Sequence, residues 1–312
     1  LVRGRRSMTS VLVTGHRGLL GQALVPVFAA QGYDVLTVDR ADLDLTDRGA
    51  VRAWLERHQP DVVILGAAKV GGIAANIAEP VEFLVENLRI QDAVMTGSAA
   101  AGVKVLVFIG SSCMYPRETA QPMREDQLWT GPVEPTNASY AVAKLAGLQL
   151  GQALAAQHDL RVVIPVLCNL YGPGDHFDPT RSHVVPALVK RFADARREGV
   201  DEVVLWGTGR ARRELLHATD AAEAIALLLR FDVSPEPVNI GPGTDVSIVE
   251  LAETVREVVG FTGRVGFDGV GPDGMPQKVM NVTRAAELGW RARIALTDGL
   301  ADVLADYHRR TA

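Results

Sequence analysis

Val11-Leu-Val-Thr14 runs directly into Gly15-His-Arg-Gly18-Leu-Leu-Gly21, and an apolar-periodic segment continues from there to about Gln31. This is the order strand, glycine turn, helix. Gly15 permits the tight turn, Gly18 lets the backbone approach a pyrophosphate, and Gly21 allows the helix to pack closely on the strand. The N-terminus of that helix attracts the anion. The spacing is G-x-x-G-x-x-G rather than the commoner G-x-G-x-x-G. A glycine-rich turn alone is usually only a turn, and it is the strand before and the helix after that make this one a nucleotide site.

Outward from this unit, strand-like runs at 34–38, 62–66, 105–110 and 162–168 alternate with amphipathic segments. The alternation predicts an α/β fold with a parallel, doubly wound Rossmann sheet. Helical patterns over about 81–101 and 140–157 carry alanine and leucine on more than one face, a composition suited to packing on a second subunit in a homodimer. Past Tyr171-Gly-Pro-Gly174 the strands shorten, Gly and Pro become more frequent, and helices are expected near 184–197, 220–230, 248–259 and 296–309. The expected division is a nucleotide-binding Rossmann domain over 9–172 and a smaller α/β substrate domain over 173–312, with some exchange of chain between them. Leu1-Val-Arg-Gly-Arg-Arg6 precedes Met8 with no apolar core behind it, so residues 1–8 read as an extension outside the fold and not as a secretory signal.

The 312 residues, 47% hydrophobic, suffice for a sizeable core. A net charge of −5 provides no basic field and argues against a nucleic-acid partner. No apolar run reaches the length of a membrane span. Cys113 and Cys168 are too few for a disulfide framework and suit a reducing, cytoplasmic location. No metal site is called for.

The chemistry centres on Tyr140-Ala-Val-Ala-Lys144, which places a phenol and an ammonium on one helical face about a turn apart. A lysine close to a tyrosine stabilises the phenolate, by about 1.4 kcal/mol for each unit of pKa lowering. Such a tyrosine exchanges a proton with an oxygen near neutral pH. On a solvated helix face the pair would mean little, and its surroundings give it weight. The strand 105–109 ends in Gly110-Ser111-Ser112-Cys113-Met-Tyr-Pro116, and ligands of doubly wound sheets bind beyond the carboxyl ends of strands. Ser111, Tyr140 and Lys144 therefore form a set able to polarise a carbonyl oxygen beside a nicotinamide.

Further motifs are Ala67-Ala-Lys-Val-Gly-Gly-Ile73, Glu134-Pro-Thr-Asn137, Asn169-Leu-Tyr-Gly-Pro173, Ser182-His-Val-Val-Pro-Ala-Leu188, and Trp206-Gly-Thr-Gly209 followed by Arg213-Glu214. With this set, in order from about residue 10 to residue 310, the chain resembles the GDP-L-fucose synthase family of the extended short-chain dehydrogenases/reductases. The resemblance implies a bifunctional 3,5-epimerase/4-reductase that converts the nucleotide sugar GDP-4-keto-6-deoxy-mannose to GDP-L-fucose with NADPH. It implies that Ser111, Tyr140 and Lys144 serve the reduction and that Cys113 and His183 are the acid/base pair of the epimerisations. It further implies that Ala67 and Ala68 border the cofactor, that Asn169 and His183 meet the sugar, and that Arg191, Trp206, Arg213 and Lys278 surround the nucleoside diphosphate. Chemistry independently asks for an acid/base pair. A 4-keto group acidifies the protons at C3 and C5, and inversion needs one group to remove a proton and another to deliver one from the opposite face. A thiol and an imidazole both titrate near enough to neutrality. Without the resemblance, Cys113 would read as a small buried hydrophobe and His183 as a helix N-terminal residue.

Leu167-Cys168 stands where the family has Pro-Thr, Leu215 where it has Phe, and Gln277 where it has Arg. These departures border the pocket and keep a related keto-sugar, such as a deoxyheptose or an antibiotic sugar, open as substrate. A 4,6-dehydratase is disfavoured because Ser112-Cys113-Met114 offers no acidic pair. A noncatalytic dinucleotide sensor is disfavoured because Tyr140 and Lys144 are both present. On the cofactor two signals conflict. Arg17 and Arg40 are suited to a 2′-phosphate, whereas Asp39, at a strand end, would accept hydrogen bonds from an unphosphorylated ribose and so admit NAD. NADP is the expectation, because two arginines offer charge-assisted hydrogen bonds while Asp39 can turn into water.

Overall fold

The computed structural model describes residues 9–178, 182–233, 235–270 and 274–311. From the N-terminus the order is β1 (Ser10–Thr14), α1 (Leu19–Ala30), β2 (Asp34–Thr37), α2 (Arg48–His58), β3 (Val62–Leu65), the short α3 (Ile73–Ala78) and α4 (Pro80–Gln91). A π-helical stretch, Asp92–Thr96, carries α4 into α5 (Gly97–Ala100), so the expected helix over 81–101 is present with a change of pitch inside it. Next come β4 (Val105–Phe108), β5 (Gly110–Ser111), α6 (Ala138–Gln157), β6 (Arg161–Leu167) and β7 (Asn169–Tyr171). The remaining chain forms α7 (Val184–Glu198), β8 (Glu202–Leu205), β9 (Arg212–Arg213), β10 (Leu215–His217), α8 (Ala218–Leu228), β11 (Pro237–Ile240) and β12 (Val246–Ser247). It closes with α9 (Ile248–Val259), β13 (Arg264–Phe267), β14 (Gln277–Lys278), α10 (Thr283–Glu287) and α11 (Leu296–Thr311).

The large sheet runs β2-β1-β3-β4-β6-β11, with β5 also pairing β6, and all its strand pairs are parallel. The runs Val11–Val13, Val62–Leu65 and Leu106–Phe108 are buried, as strands covered by helices on both faces must be. From β1 the chain crosses one way to β2 and then back past β1 to β3. Right-handed crossovers in the two directions put their helices on opposite faces and open a crevice at the carboxyl ends of β1 and β3. The doubly wound sheet expected from the alternation is therefore the one observed. α1 packs with α8, and α4 with α6.

Part of the later chain returns to this sheet, since β11 lies beside β6 and α8 beside α1. A second core, with Phe192, Leu251, Val255, Phe261, Leu300 and Tyr307, joins α7, α9 and α11. The parallel pair β8 and β13 contributes Val203 and Leu205 to it. Between the two cores lie the pair β7 and β10 and a small sheet in which β9 is flanked by β12 and β14. Among the described residues no helix is long and apolar enough to cross a membrane.

Candidate active site

A cleft of about 780 Å³ begins at the β1–β3 crevice and extends to the residues of the second core. Every side chain singled out in the sequence for catalysis, cofactor or substrate lines it. The dinucleotide end is built by close backbone approach. Gly15 has φ +70°, and a Cβ there would lie 2.8 Å from the Ala67 backbone, so the turn and the end of β3 meet only because residue 15 is glycine. At Gly21 a Cβ would lie 2.1 Å from the Gly15 carbonyl oxygen, which places α1 directly on the turn. Among the described residues nothing comes nearer than 3.4 Å to a Cβ built at Gly18, the N-cap of α1. The turn, the free N–H groups of the α1 N-terminus, and Leu19, Ala67 and Ala68 alongside thus fit the pyrophosphate of a nicotinamide dinucleotide.

Beyond β2 the charges are arranged differently from the expectation. Asp39 does not turn into water: its carboxylate accepts from Arg17 at 2.6 Å and lies 3.4 Å from His16 Nε2. Opposite charge on the glycine turn holds it there. Arg40 is exposed, with Glu86 at 3.8 Å.

Tyr140 and Lys144 rise from the first turns of α6, where the expectation of a shared face holds, with the Lys144 ammonium 5.8 Å from the Tyr140 ring centre. The electrostatic expectation is reversed. Lys144 is buried and donates to the Ile109 carbonyl at 2.9 Å, and burial lowers its pKa to about 8. Burial likewise raises the Tyr140 phenol above its ordinary value, the charge of Cys113 adds to this, and a hydrogen bond with Ser111 only partly offsets it. Desolvation of the phenolate sets the direction, and burial disfavours the ammonium of Lys144 as well. The Tyr140 phenol is thus held neutral.

Cys113 sits in the 3₁₀ turn Ser112–Met114 just past β5, its backbone N–H donating to Ser111 Oγ at 3.2 Å. Two N–H donors point at its sulfur, Asn137 Nδ2 at 3.1 Å and Lys278 Nζ at 3.4 Å. Burial pushes the thiol up, but the Lys278 charge and the hydrogen bonds from Ser111, Lys278 and Asn137 prevail, leaving it below the ordinary thiol value. His183 is the N-cap of α7, half-buried, with Nδ1 3.3 Å from the carboxylate of Asp175. Burial alone would lower its pKa; the Asp175 hydrogen bond and charge outweigh this and raise it. Asp175 is itself buried in a loop tied to α11, where Gly174 N–H donates to Asp306 at 2.9 Å and Arg310 donates to the Asp175 carbonyl at 2.9 Å.

Asp175 and the thiol-directed Asn137 were not singled out in the sequence. Asn137 ends a quoted motif and Asp175 directly follows Gly174, so each had a sequence signal without a stated role. Glu134 delivers Asn137 by capping the turn Pro135–Asn137, while Arg117 neutralises it at 3.1 Å. At the far end of the cleft Arg191 donates to the Val204 carbonyl at 2.5 Å, and Arg213 donates to the Arg212 and Met275 carbonyls. Trp206, 55% exposed, lies at the same end. Asn169 of β7 faces the cleft beside Leu215 of β10, its register partner. Lys278, grouped in the sequence with the diphosphate residues, is buried and directed at Cys113.

The cleft thus brings a neutral phenol together with a separate thiol and imidazole beside a glycine turn that fits a dinucleotide. Residues 11–241 match the NAD dependent epimerase/dehydratase family. Over 292 residues the chain is 47% identical to the protein named GDP-L-fucose synthase 1 of Arabidopsis thaliana, with 93% of this chain and 90% of that one covered. The chain belongs to the GDP-L-fucose synthase family. Solved structures similar to this member of the family include a GDP-6-OMe-4-keto-L-xylo-heptose reductase from C. jejuni, with TM-score 0.90, 30% identity, and 98% of this chain and 99% of that one covered. Another is a GDP-L-fucose synthetase from Naegleria fowleri bound to NADP, with TM-score 0.87, 27% identity, and 97% and 93% covered.

Proposed function

We propose that this enzyme is a bifunctional 3,5-epimerase/4-reductase that converts GDP-4-keto-6-deoxy-mannose to GDP-L-fucose with NADPH. The observation that carries the reading is the presence in one cleft of two independent proton-handling sets, Ser111–Tyr140–Lys144 and Cys113–His183. A reductase alone needs only the first.

In this mechanism the diphosphate and base lie toward Arg191, Arg213 and Trp206, and Asn169 orients the sugar. Cys113, its pKa lowered, removes the proton at C3 or C5, the C–H electrons moving into an enolate on the 4-keto oxygen. His183, its pKa raised by Asp175, is the protonated partner that returns a proton to the opposite face. The turn Gly15–Gly18, Gly21, Leu19, Ala67 and Ala68 hold the dinucleotide, with Arg40, and Arg17 in competition with Asp39, reaching a 2′-phosphate. A bound NADPH supplies the hydride for C4. Tyr140, neutral through burial, donates the proton to the C4 oxygen, with Ser111 hydrogen-bonded to the same phenol and Lys144 fixed beneath it. The smaller core acts as the substrate lobe of this two-part enzyme, and the location is cytoplasmic.

The association is a homodimer through α4 and α6, which leave Val81, Val85, Leu88 and Val142 exposed. Light scattering of the purified protein tests this, a monomeric mass being the contrary result.

A related nucleotide-4-keto-deoxy sugar is the second reading, favoured by the likeness to the heptose reductase and by Leu167, Cys168 and Leu215 lining the cleft. Turnover of a panel of GDP-4-keto-6-deoxy hexoses and heptoses in deuterated water, with product stereochemistry by NMR, decides between them. GDP-L-fucose carrying deuterium at C3 and C5 supports the first reading. Reduction of the panel without exchange at either carbon removes the epimerase.

A further inference from the structure

We propose that Lys278 is the positioning residue that holds Cys113 as a thiolate base, and that it does so through its ammonium contact with the sulfur rather than by binding substrate. The inference rests on the reading of Cys113 as the epimerisation base and adds the group that readies it.

Three observations support it. Lys278 Nζ lies 3.4 Å from Cys113 Sγ, and the residue is 8% exposed, so the charge acts at short range and away from bulk water. The stem is anchored on both sides. Its carbonyl accepts from Glu214 N–H at 3.1 Å, and the next residue, Val279, donates to Gln121 Oε1 at 3.0 Å. β14 is also paired in register with β9, Lys278 opposite Arg213. The third observation is the donor set. Both Lys278 and Asn137 present N–H groups to the sulfur, and a thiol sulfur is a weak acceptor whereas a thiolate is a strong one.

The other groups packed around the thiol do not replace this charge. From α6, Tyr140 is neutral, and Lys144, whose charge also feels that of Cys113, donates to the Ile109 carbonyl and not to the sulfur. The carboxylate of Glu134, at the head of the turn carrying Asn137, is neutralised by Arg117. Burial opposes ionisation of Cys113, and the Lys278 charge is the largest contribution against it. Lys278 thereby links the segment 274–282 to the acid/base chemistry, although it lies far along the chain from every other residue of that set.

The test reads thiol ionisation without substrate. The rate of iodoacetamide alkylation at Cys113, followed by peptide mass spectrometry against pH, is compared for wild type, Lys278→Met and Lys278→Arg. An opposite charge at this range moves a pKa by about one to three units, so Lys278→Met should raise the midpoint by at least about one unit and slow alkylation at neutral pH about tenfold or more. Lys278→Arg should keep the midpoint near that of wild type. A Lys278→Met midpoint equal to wild type overturns the proposal. So does a wild-type midpoint at or above about 8.5, the ordinary thiol value, which needs no folded variant. In turnover, Lys278→Met should reduce deuterium exchange at C3 and C5 with KM near that of wild type. A raised KM with exchange at saturation intact would return Lys278 to the diphosphate. Undiminished exchange in Cys113→Ser would refute the base assignment itself, a result separate from the alkylation profile.

Discussion

Replacing Asp39 by alanine tests how the protein chooses between phosphorylated and unphosphorylated dinucleotides. Arg17 meets the Asp39 carboxylate at 2.6 Å, with the arginine side chain 77% and the aspartate 33% exposed, so the pair sits largely in water. Pairs of that kind contribute about 0.2–1 kcal/mol, and Asp39→Ala releases Arg17 to a 2′-phosphate with a gain of about that size. The same change takes away the acceptor that a plain ribose would use. A hydrogen bond to a charged group contributes about 1.5–3 kcal/mol, so NADH should lose about that much. Together the preference for NADPH should grow by about 1.7–4 kcal/mol, roughly 20- to 900-fold in the ratio of kcat/KM values. The assay is steady-state oxidation of NADPH and NADH with one keto-sugar, with thermal unfolding as control. Removal of a solvated ion pair should leave the melting temperature nearly unchanged. A ratio moved less than about threefold would refute the combined account, in which the carboxylate both accepts from a plain ribose and withholds Arg17 from a 2′-phosphate. A wild-type enzyme faster with NADH would overturn the NADPH assignment and make Asp39 the deciding residue.

Tyr140→Phe should lower reduction by about 10²- to 10⁴-fold while substrate still binds, since only the proton donor is lost; near-normal NADPH oxidation would remove Tyr140 from that role. Deuterium exchange at C3 and C5 should be bell-shaped in pH, rising as Cys113 ionises and falling as His183 loses its proton, with apparent values belonging to the pair. Asp175 raises the His183 pKa, so Asp175→Asn should shift the falling limb to lower pH; an unmoved limb would mean that His183 is not the acid, or that Asp175 does not tune it. Gly21→Ala places a Cβ 2.1 Å from the Gly15 carbonyl, so the turn must move by about 1 Å, an overpacking of about 1–3 kcal/mol. Calorimetry should show weaker dinucleotide binding together with a lower melting temperature, and unchanged binding would detach Gly21 from the cradle.

The sheet and its dinucleotide crevice were readable in the chain because they depend on local order. A strand, Gly15, Gly18, Gly21 and a helix are contiguous, and their close approach follows from the missing Cβ atoms. The pairing of Tyr140 with Lys144 was equally local, one helical turn. What the sequence could not determine was the sign of the field at those groups. Lys144 beside Tyr140 suggested a stabilised phenolate, but desolvation in the cleft raises the phenol instead, and desolvation depends on residues distant in the chain. Asp39 is a similar case. Its place at the end of β2 was legible, but its contact with Arg17 required β1 and β2 to be set side by side. Tertiary structure alone brought Lys278 and Asn137 to one sulfur and put Asp175 behind His183. Sequence determines which groups are available and the shape of each local turn. The charge each group carries depends on solvent exclusion and on partners that only the packed chain supplies.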